Sequence, residues 1–120
     1  MNNRNVLRHL KRAVKLIEQG WTQGSNARDK NGLPIIKSGS KKAVSWCCSG
    51  ALSATDNGDY SLFQASRSFL ESIFPNNLYK TLGYDFSSLE GFNDLSTTTQ
   101  KDVLKLFKKG ISKLSKFDTK

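Results

Sequence analysis

Between Trp46 and Ala54 the chain reads Trp-Cys-Cys-Ser-Gly-Ala-Leu-Ser-Ala, a stretch made mostly of apolar or very small residues. Small side chains let neighbouring elements approach closely from several sides, so a segment with Cys47, Cys48, Gly50, Ala51 and Ala54 belongs at the centre of a helical packing. The pattern predicts a buried central helix over 45–56, capped by Ser45 and ended by Asp56-Asn57-Gly58. At 120 residues the chain is the size of one domain, which buries roughly two-thirds of its unfolded surface without disulfides or metals.

The two ends read as amphipathic helices. Over 1–20, Val6, Leu7, Leu10, Ala13, Val14 and Ile17 recur at helical spacing, while Arg4, Arg8, Lys11, Arg12 and Lys15 fall on the opposite arc. Asn3 is the expected N-cap, and Gly20 the expected stop in a left-handed conformation. His9 falls outside the apolar arc and is expected to be solvated. Over 97–117, Thr97 with Gln100 fits a capping box. Val103, Leu104, Phe107, Ile111, Leu114 and Phe117 make the apolar face of this helix, and Lys101, Lys105, Lys108, Lys109, Lys113 and Lys116 the other.

Between these ends, 21–44 loses the helical period and gathers turn formers. Asn31-Gly32 signals a hairpin pairing 21–30 with 33–37; the alternative is an ordered loop anchored by Trp21, Leu33, Ile35 and Ile36. Residues 38–42 read as a mobile tip. A helix rich in aromatic residues is expected over 59–75, opened by Asp59 and ended by Pro75, and it should supply most of the aromatic core. Residues 76–96 read as irregular, with a short helical turn around Leu78–Leu82 and anchors at Tyr84, Phe86 and Leu89. The expected fold is mainly α: a compact four- to five-helix single domain with a small β-hairpin or ordered loop after the first helix.

Catalytic chemistry finds little support. A cysteine nucleophile needs a nearby base and a lowered pKa, whereas Cys47 and Cys48 sit in an apolar segment and read as small buried hydrophobes. Neighbouring cysteines bridge each other poorly, which points to reduced thiols in a cytoplasmic setting. No second Cys/His pair completes a zinc site, and there is neither a Gly-rich phosphate loop nor a nucleophile elbow. No metal, cofactor or enzymatic activity is expected. Asp56 and Asp59 read as caps. Asn93-Asp94 reads first as a cap or loop tie, and second as part of a polar pocket near Trp46.

The net charge of +9 is concentrated at the termini. Residues 1–20 carry five Lys/Arg and one acid, residues 97–120 carry seven Lys and two Asp, and the stretch between them is neutral. Such faces suit an acidic protein partner, whose encounter they would speed. Nucleic acid is a weaker expectation, because no aromatic residues interleave with the basic ones and no base-reading cluster appears. A membrane is not expected, since the helices need their apolar faces for the core and no apolar run reaches a span. No signal-peptide hydrophobic region follows Met1.

Three pieces carry a resemblance: Gly20-Trp21-Thr22-Gln23-Gly24, Trp46-Cys47-Cys48-Ser49-Gly50-Ala51-Leu52, and Phe92-Asn93-Asp94 before a threonine-capped helix. Together they resemble a family of short bacterial and phage proteins known only as a domain of unknown function. That family has a Trp-Cys-x-x-Gly-Ala-Leu element and a Trp-Asn-Asp element; Phe92 stands where its tryptophan would be. In size, basicity and helical character the chain also resembles a small effector of an intracellular bacterial pathogen. That likeness implies a non-enzymatic inhibitor of effectors that deamidate or transglutaminate ubiquitin machinery, delivered to the host cell without a cleaved signal peptide.

The expected role is therefore a protein-binding regulator whose partner is an enzyme with an acidic patch; a homodimer is a further expectation. The expected contact residues are Arg4, Arg8, Lys11, Lys15, Trp21, Lys101, Lys105, Lys108 and Lys109, with loop 21–42 as a second surface. Trp46, Cys47, Gly50, Asn93 and Asp94 are the expected structural motif.

Overall fold

The computed structural model describes residues 2–74 and 88–117. Among the described residues, five helices and three very short strands follow in the order α1 (Asn3–Gln19), β1 (Ala27–Arg28), β2 (Pro34–Ile35), β3 (Ser45–Trp46), α2 (Cys48–Ala54), α3 (Tyr60–Ser72), α4 (Leu89–Asp94) and α5 (Gln100–Ser115). The mainly helical architecture with a small hairpin is as expected from the sequence. Pro75, the expected turn over Leu78–Leu82, Tyr84 and Phe86 lie outside the described residues.

α1 and α5 form the frame. The Gln100 side chain donates to the Ile17 carbonyl at 2.7 Å, tying the start of α5 to the end of α1. At the other end Asn2, Asn3 and Arg4 face Leu114 and Phe117. The two helices therefore run antiparallel. α1 buries Val6, Leu7, Leu10, Ala13, Val14 and Ile17, as its period predicts. α5 buries Val103, Leu106, Phe107, Gly110 and Leu114. Its face is rotated from the expected one: Leu104 and Ile111 are only partly buried, and Phe117 is 70% exposed. Gly110 lies on the buried face, where Leu10, Phe69 and Ile73 crowd the place a side chain would take.

Caps sit close to, but not on, the expected positions. Asn2, not Asn3, caps α1 by accepting the Asn5 N–H at 2.9 Å. Thr99 and Asp102, not Thr97 and Gln100, form the capping box of α5. Asp59 caps α3, as expected. Asp56 instead shapes the preceding turn by accepting the Gly58 N–H at 2.9 Å.

The hairpin is present, and it acquires a third strand. Strand order is β2-β1-β3, with Ala27 opposite both Ile35 and Trp46. Asp29 closes the connecting loop by accepting the Asn31 and Leu33 N–H groups through Oδ1. β3 shortens the central helix from the expected 45–56 to Cys48–Ala54. The reason is backbone demand: Trp46 donates to the Gly20 carbonyl and accepts from the Thr22 N–H, so it belongs to the sheet. Residues 38–42 are anchored rather than free, because Ser38 is buried and its carbonyl accepts the Trp46 indole N–H at 2.8 Å.

The core is continuous across all five helices, with Leu10, Ile17, Leu52, Leu70, Leu89 and Phe107 fully buried. Burying each such side chain contributes about 1.5–3 kcal/mol. The aromatic part is more spread out than expected from the third helix alone: Phe63 and Phe69 are half-buried, while Phe74 packs on Phe92 with ring centroids 5.4 Å apart.

Candidate functional site

Two features stand out: a hydrogen-bonded hub centred on Asn93, and the paired basic faces of α1 and α5. The hub collects the sequence elements carried by Trp21, Trp46, Cys47, Gly50, Asn93 and Asp94.

α4 is short, opened by Ser88 and packed through Leu89 and Phe92, and its last turn points Asn93 into the body of the protein. The Asn93 amide is fully buried and uses all of its capacity. Its Oδ1 accepts the Trp21 indole N–H at 2.8 Å and the Cys48 backbone N–H at 3.0 Å. Its Nδ2 donates to the Thr22 carbonyl at 3.1 Å and to Asp94 Oδ1 at 2.9 Å. Around it, Gln23 Nε2 donates to the carbonyls of Asn93 and Leu95, and the Gly24 N–H donates to Asp94. The larger role weighed for Asn93, capping or tying a loop, is thus extended: it joins loop 21–24, the start of α2 and the end of α4.

Two glycines make this convergence possible. A side chain at Gly50 would lie 1.9 Å from the Asn26 carbonyl oxygen, and one at Gly20 would lie 2.2 Å from that of Val44. Gly20 has φ −173°, an extended conformation, so close approach and not a left-handed turn is what glycine supplies there. The smallness of the Trp46–Ala54 stretch serves the sheet and loop as well as the helices.

Beside the hub lies an open polar cleft of about 320 Å³ lined by Gly24, Ser25, Asn26, Cys47, Glu90, Asn93 and Asp94. The polar pocket considered for Asp94 therefore exists, with Cys47 rather than Trp46 on its wall. Cys47 caps α2, its sulfur accepting the Gly50 N–H at 3.2 Å. Burial pushes the Cys47 thiol up, and the Asp94 and Glu90 carboxylates add to that against the Gly50 N–H. Burial pushes Cys48 well up too. Both cysteines are free and protonated at neutral pH, the opposite of an activated nucleophile.

Glu90 was missed by sequence reasoning, as were its partners. Arg67 grips it in a bidentate pair, with Nη2 to Oε1 at 2.6 Å and Nε to Oε2 at 2.9 Å, and the Ser49 hydroxyl donates to Oε2. Half-burial works to raise the Glu90 carboxyl, but the hydrogen bonds from Arg67 and Ser49 outweigh it and hold it below the ordinary range. Glu71 accepts the Leu89 N–H at 2.8 Å. α4 is therefore fastened to α2 and α3 by charge as well as by packing. Ser88 ahead of Leu89 and Glu90 is the local signal that could have located this helix.

His9 overturns its expected solvation. It is fully buried between α1, α2 and α3, its Nε2–H donating to the Leu52 carbonyl at 2.7 Å. Its Nδ1 accepts the Ser66 hydroxyl at 2.6 Å. The pair resembles a serine and its base only in distance: Ser66 is also fully buried, so no substrate reaches it. His9 flanks the apolar arc, and two polar partners on neighbouring helices turn it inward. Neither partner is visible in the spacing of α1.

The basic residues lie where their spacing puts them. Arg4, Arg8, Lys11 and Lys15 are exposed along α1, and Lys101, Lys105, Lys108 and Lys109 are exposed along α5. Lys108 reaches across to Glu18 at 3.7 Å, which puts the two stripes side by side. Lys109 also donates to the Ile73 carbonyl at 3.2 Å. Trp21 is half-buried, with its N–H committed to Asn93.

Among the described residues no group of three His, Cys, Asp or Glu could hold a metal ion, and no helix is long and apolar enough to cross a membrane. No curated protein and no solved structure matches the chain. Residues 1–113 match the model of a family of unknown function, DUF6197, and the chain belongs to that family.

Proposed function

We propose that this protein is a non-enzymatic binding module that docks through the paired basic faces of α1 and α5 onto an acidic surface of a protein partner. The observation that carries this reading is the excess of positive charge on those faces, five Lys/Arg against one acid over 1–20 and seven Lys against two Asp over 97–120. Lys101, Lys105, Lys109 and Lys113 follow one another at i,i+4 spacing along α5, and like charges so placed destabilise a helix by about 0.2–0.5 kcal/mol per pair. A face serving only solubility would alternate signs. The acids nearby are engaged, Glu18 with Lys108 and Asp102 in its capping box.

The hub supports the same reading from the other side. Its polar groups satisfy one another, and its thiols are held protonated, so the motif residues act as scaffold and the charged faces remain for recognition. The narrower reading, an inhibitor of a ubiquitin-directed deamidase or transglutaminase, rests on size, basicity and helical character alone.

The test is affinity capture from lysate with and without nuclease, using the native protein and Lys105→Glu/Lys108→Glu. A stoichiometric protein partner, lost or slowed in association with the variant at low salt, is the expected result. Recovery of mixed nucleoprotein that vanishes with nuclease would replace this reading with phosphate-backbone binding. A partner captured equally by both proteins would move the contact surface elsewhere.

A further inference from the structure

The neutral middle of the chain hides a second basic surface. Residues 28–44 carry Arg28, Lys30, Lys37, Lys41 and Lys42 against Asp29 alone, and Asp29 Oδ1 is committed to two backbone N–H groups. Three of the exposed large aliphatic side chains occur in the same segment: Ile36 at 88%, Leu33 at 59% and Val44 at 47% exposure. β2 is an edge strand of the sheet; Ile35 packs against the core, while Leu33, Pro34 and Ile36 are exposed along the edge with Lys30 and Lys37 at its two ends. The surroundings are open, for a side chain at Gly32 or Gly39 would meet nothing within 4 Å.

We propose that this β2 edge is a docking surface for an anionic lipid membrane, with Leu33 and Ile36 entering the interface and Lys30, Lys37, Lys41 and Lys42 meeting the headgroups. This goes beyond the partner-binding reading of the helices and does not depend on it. Three observations choose the occupant. The positive charge of the segment repels a second copy of itself. Pro34 lacks an N–H, which removes one donor from the edge; that disfavours strand addition and lowers the cost of contact with an apolar phase. Arg28 is turned inward onto Thr22, Gln23 and Gly32, which leaves exposed aliphatic side chains flanked by lysines, the pairing of apolar insertion with cationic headgroup contact that an anionic lipid interface takes up. The α1 and α5 faces differ in having their apolar residues in the core.

The experiment is co-sedimentation with phosphatidylcholine vesicles, with and without phosphatidylglycerol, at low salt. The native protein should pellet with the anionic vesicles and stay in solution with the neutral ones. Ile36→Ser and Leu33→Ser should each weaken partitioning by about tenfold, the loss of one buried aliphatic side chain. Lys41→Glu/Lys42→Glu should weaken it by at least about twenty-five-fold, from roughly fivefold per lysine. Lys105→Glu/Lys108→Glu should have a smaller effect than any of these β2-edge variants. Circular dichroism should be unchanged throughout, because all of these side chains are exposed. Absence of binding to anionic vesicles would overturn the proposal. So would binding that Ile36→Ser and Leu33→Ser leave intact, which would mean charge attraction through the helices. Binding of an acidic protein that depends on Leu33 and Ile36, without vesicle binding, would overturn it as well.

Discussion

The side-chain oxygen of Asn93 accepts the backbone N–H of Cys48 across 45 positions of sequence at 3.0 Å. This one bond joins the end of α4 to the first turn of α2, and the same oxygen takes the Trp21 indole N–H. Three segments far apart in the chain thus share a single buried amide. An unpaired buried donor costs about 1–3 kcal/mol, so each of these contacts resists loss on its own.

The close approach at Gly50 gives a sharp contrast between glycines. Gly50→Ala puts a methyl group 1.9 Å from the Asn26 carbonyl oxygen, and the backbone on either side must move. Overpacking of this kind destabilises by about 1–3 kcal/mol, and a backbone clash places it at or above the top of that range. Gly39→Ala meets nothing and has no positive φ, so stability should hold or rise by about 0.4–1 kcal/mol. Urea midpoints of the two variants, measured side by side, check both signs.

His9 makes stability depend on pH in a defined window. Burial lowers its pKa from 6.5, and Arg12 acts in the same sense against the Leu52 carbonyl and Asp56. The unfolded chain therefore binds the proton more readily than the folded one. Stability is complete above pH 6.5 and falls as pH drops below it toward the folded pKa. Glu90 acts lower: its folded pKa lies below 4.5, so its contribution is present above that value and lost beneath it. Denaturant unfolding between pH 7.5 and pH 5 (about two and a half units spanning the histidine range) should show the first loss, and His9→Gln should flatten it.

The cysteines should be inert in the folded protein. Cys47 is 7% exposed and Cys48 fully buried, and both thiols are pushed up. Alkylation at neutral pH should be slow for the native protein and fast once it is denatured. Rapid modification of native Cys47 would contradict this and revive cysteine chemistry in the cleft.

How much of this could be read from the chain follows from the range of the interactions. Apolar spacing marked α1, α3 and α5, because helical period is local. The hairpin was legible from Asn31-Gly32, although Asp29 does much of the closing. The third strand was not, because what takes Trp46 out of the helix is pairing with Gly20 and Thr22 more than twenty positions away. His9 was misplaced for the same reason, its burial being set by Leu52 and Ser66. At the hub, Asn93 and Asp94 were visible as a motif and a polar pocket was considered for them. The bidentate clasp of Arg67 on Glu90 left no local trace.

The central claim is that the motif around Asn93 is scaffold. Asn93→Ala removes four hydrogen bonds and strands the buried N–H of Cys48 and the indole N–H of Trp21. The equilibrium unfolding free energy in urea should fall by about 3–5 kcal/mol, from two stranded donors and the lost packing of a buried side chain. A variant that keeps its native midpoint would contradict the account and point to a role for Asn93 in the cleft beyond holding the fold.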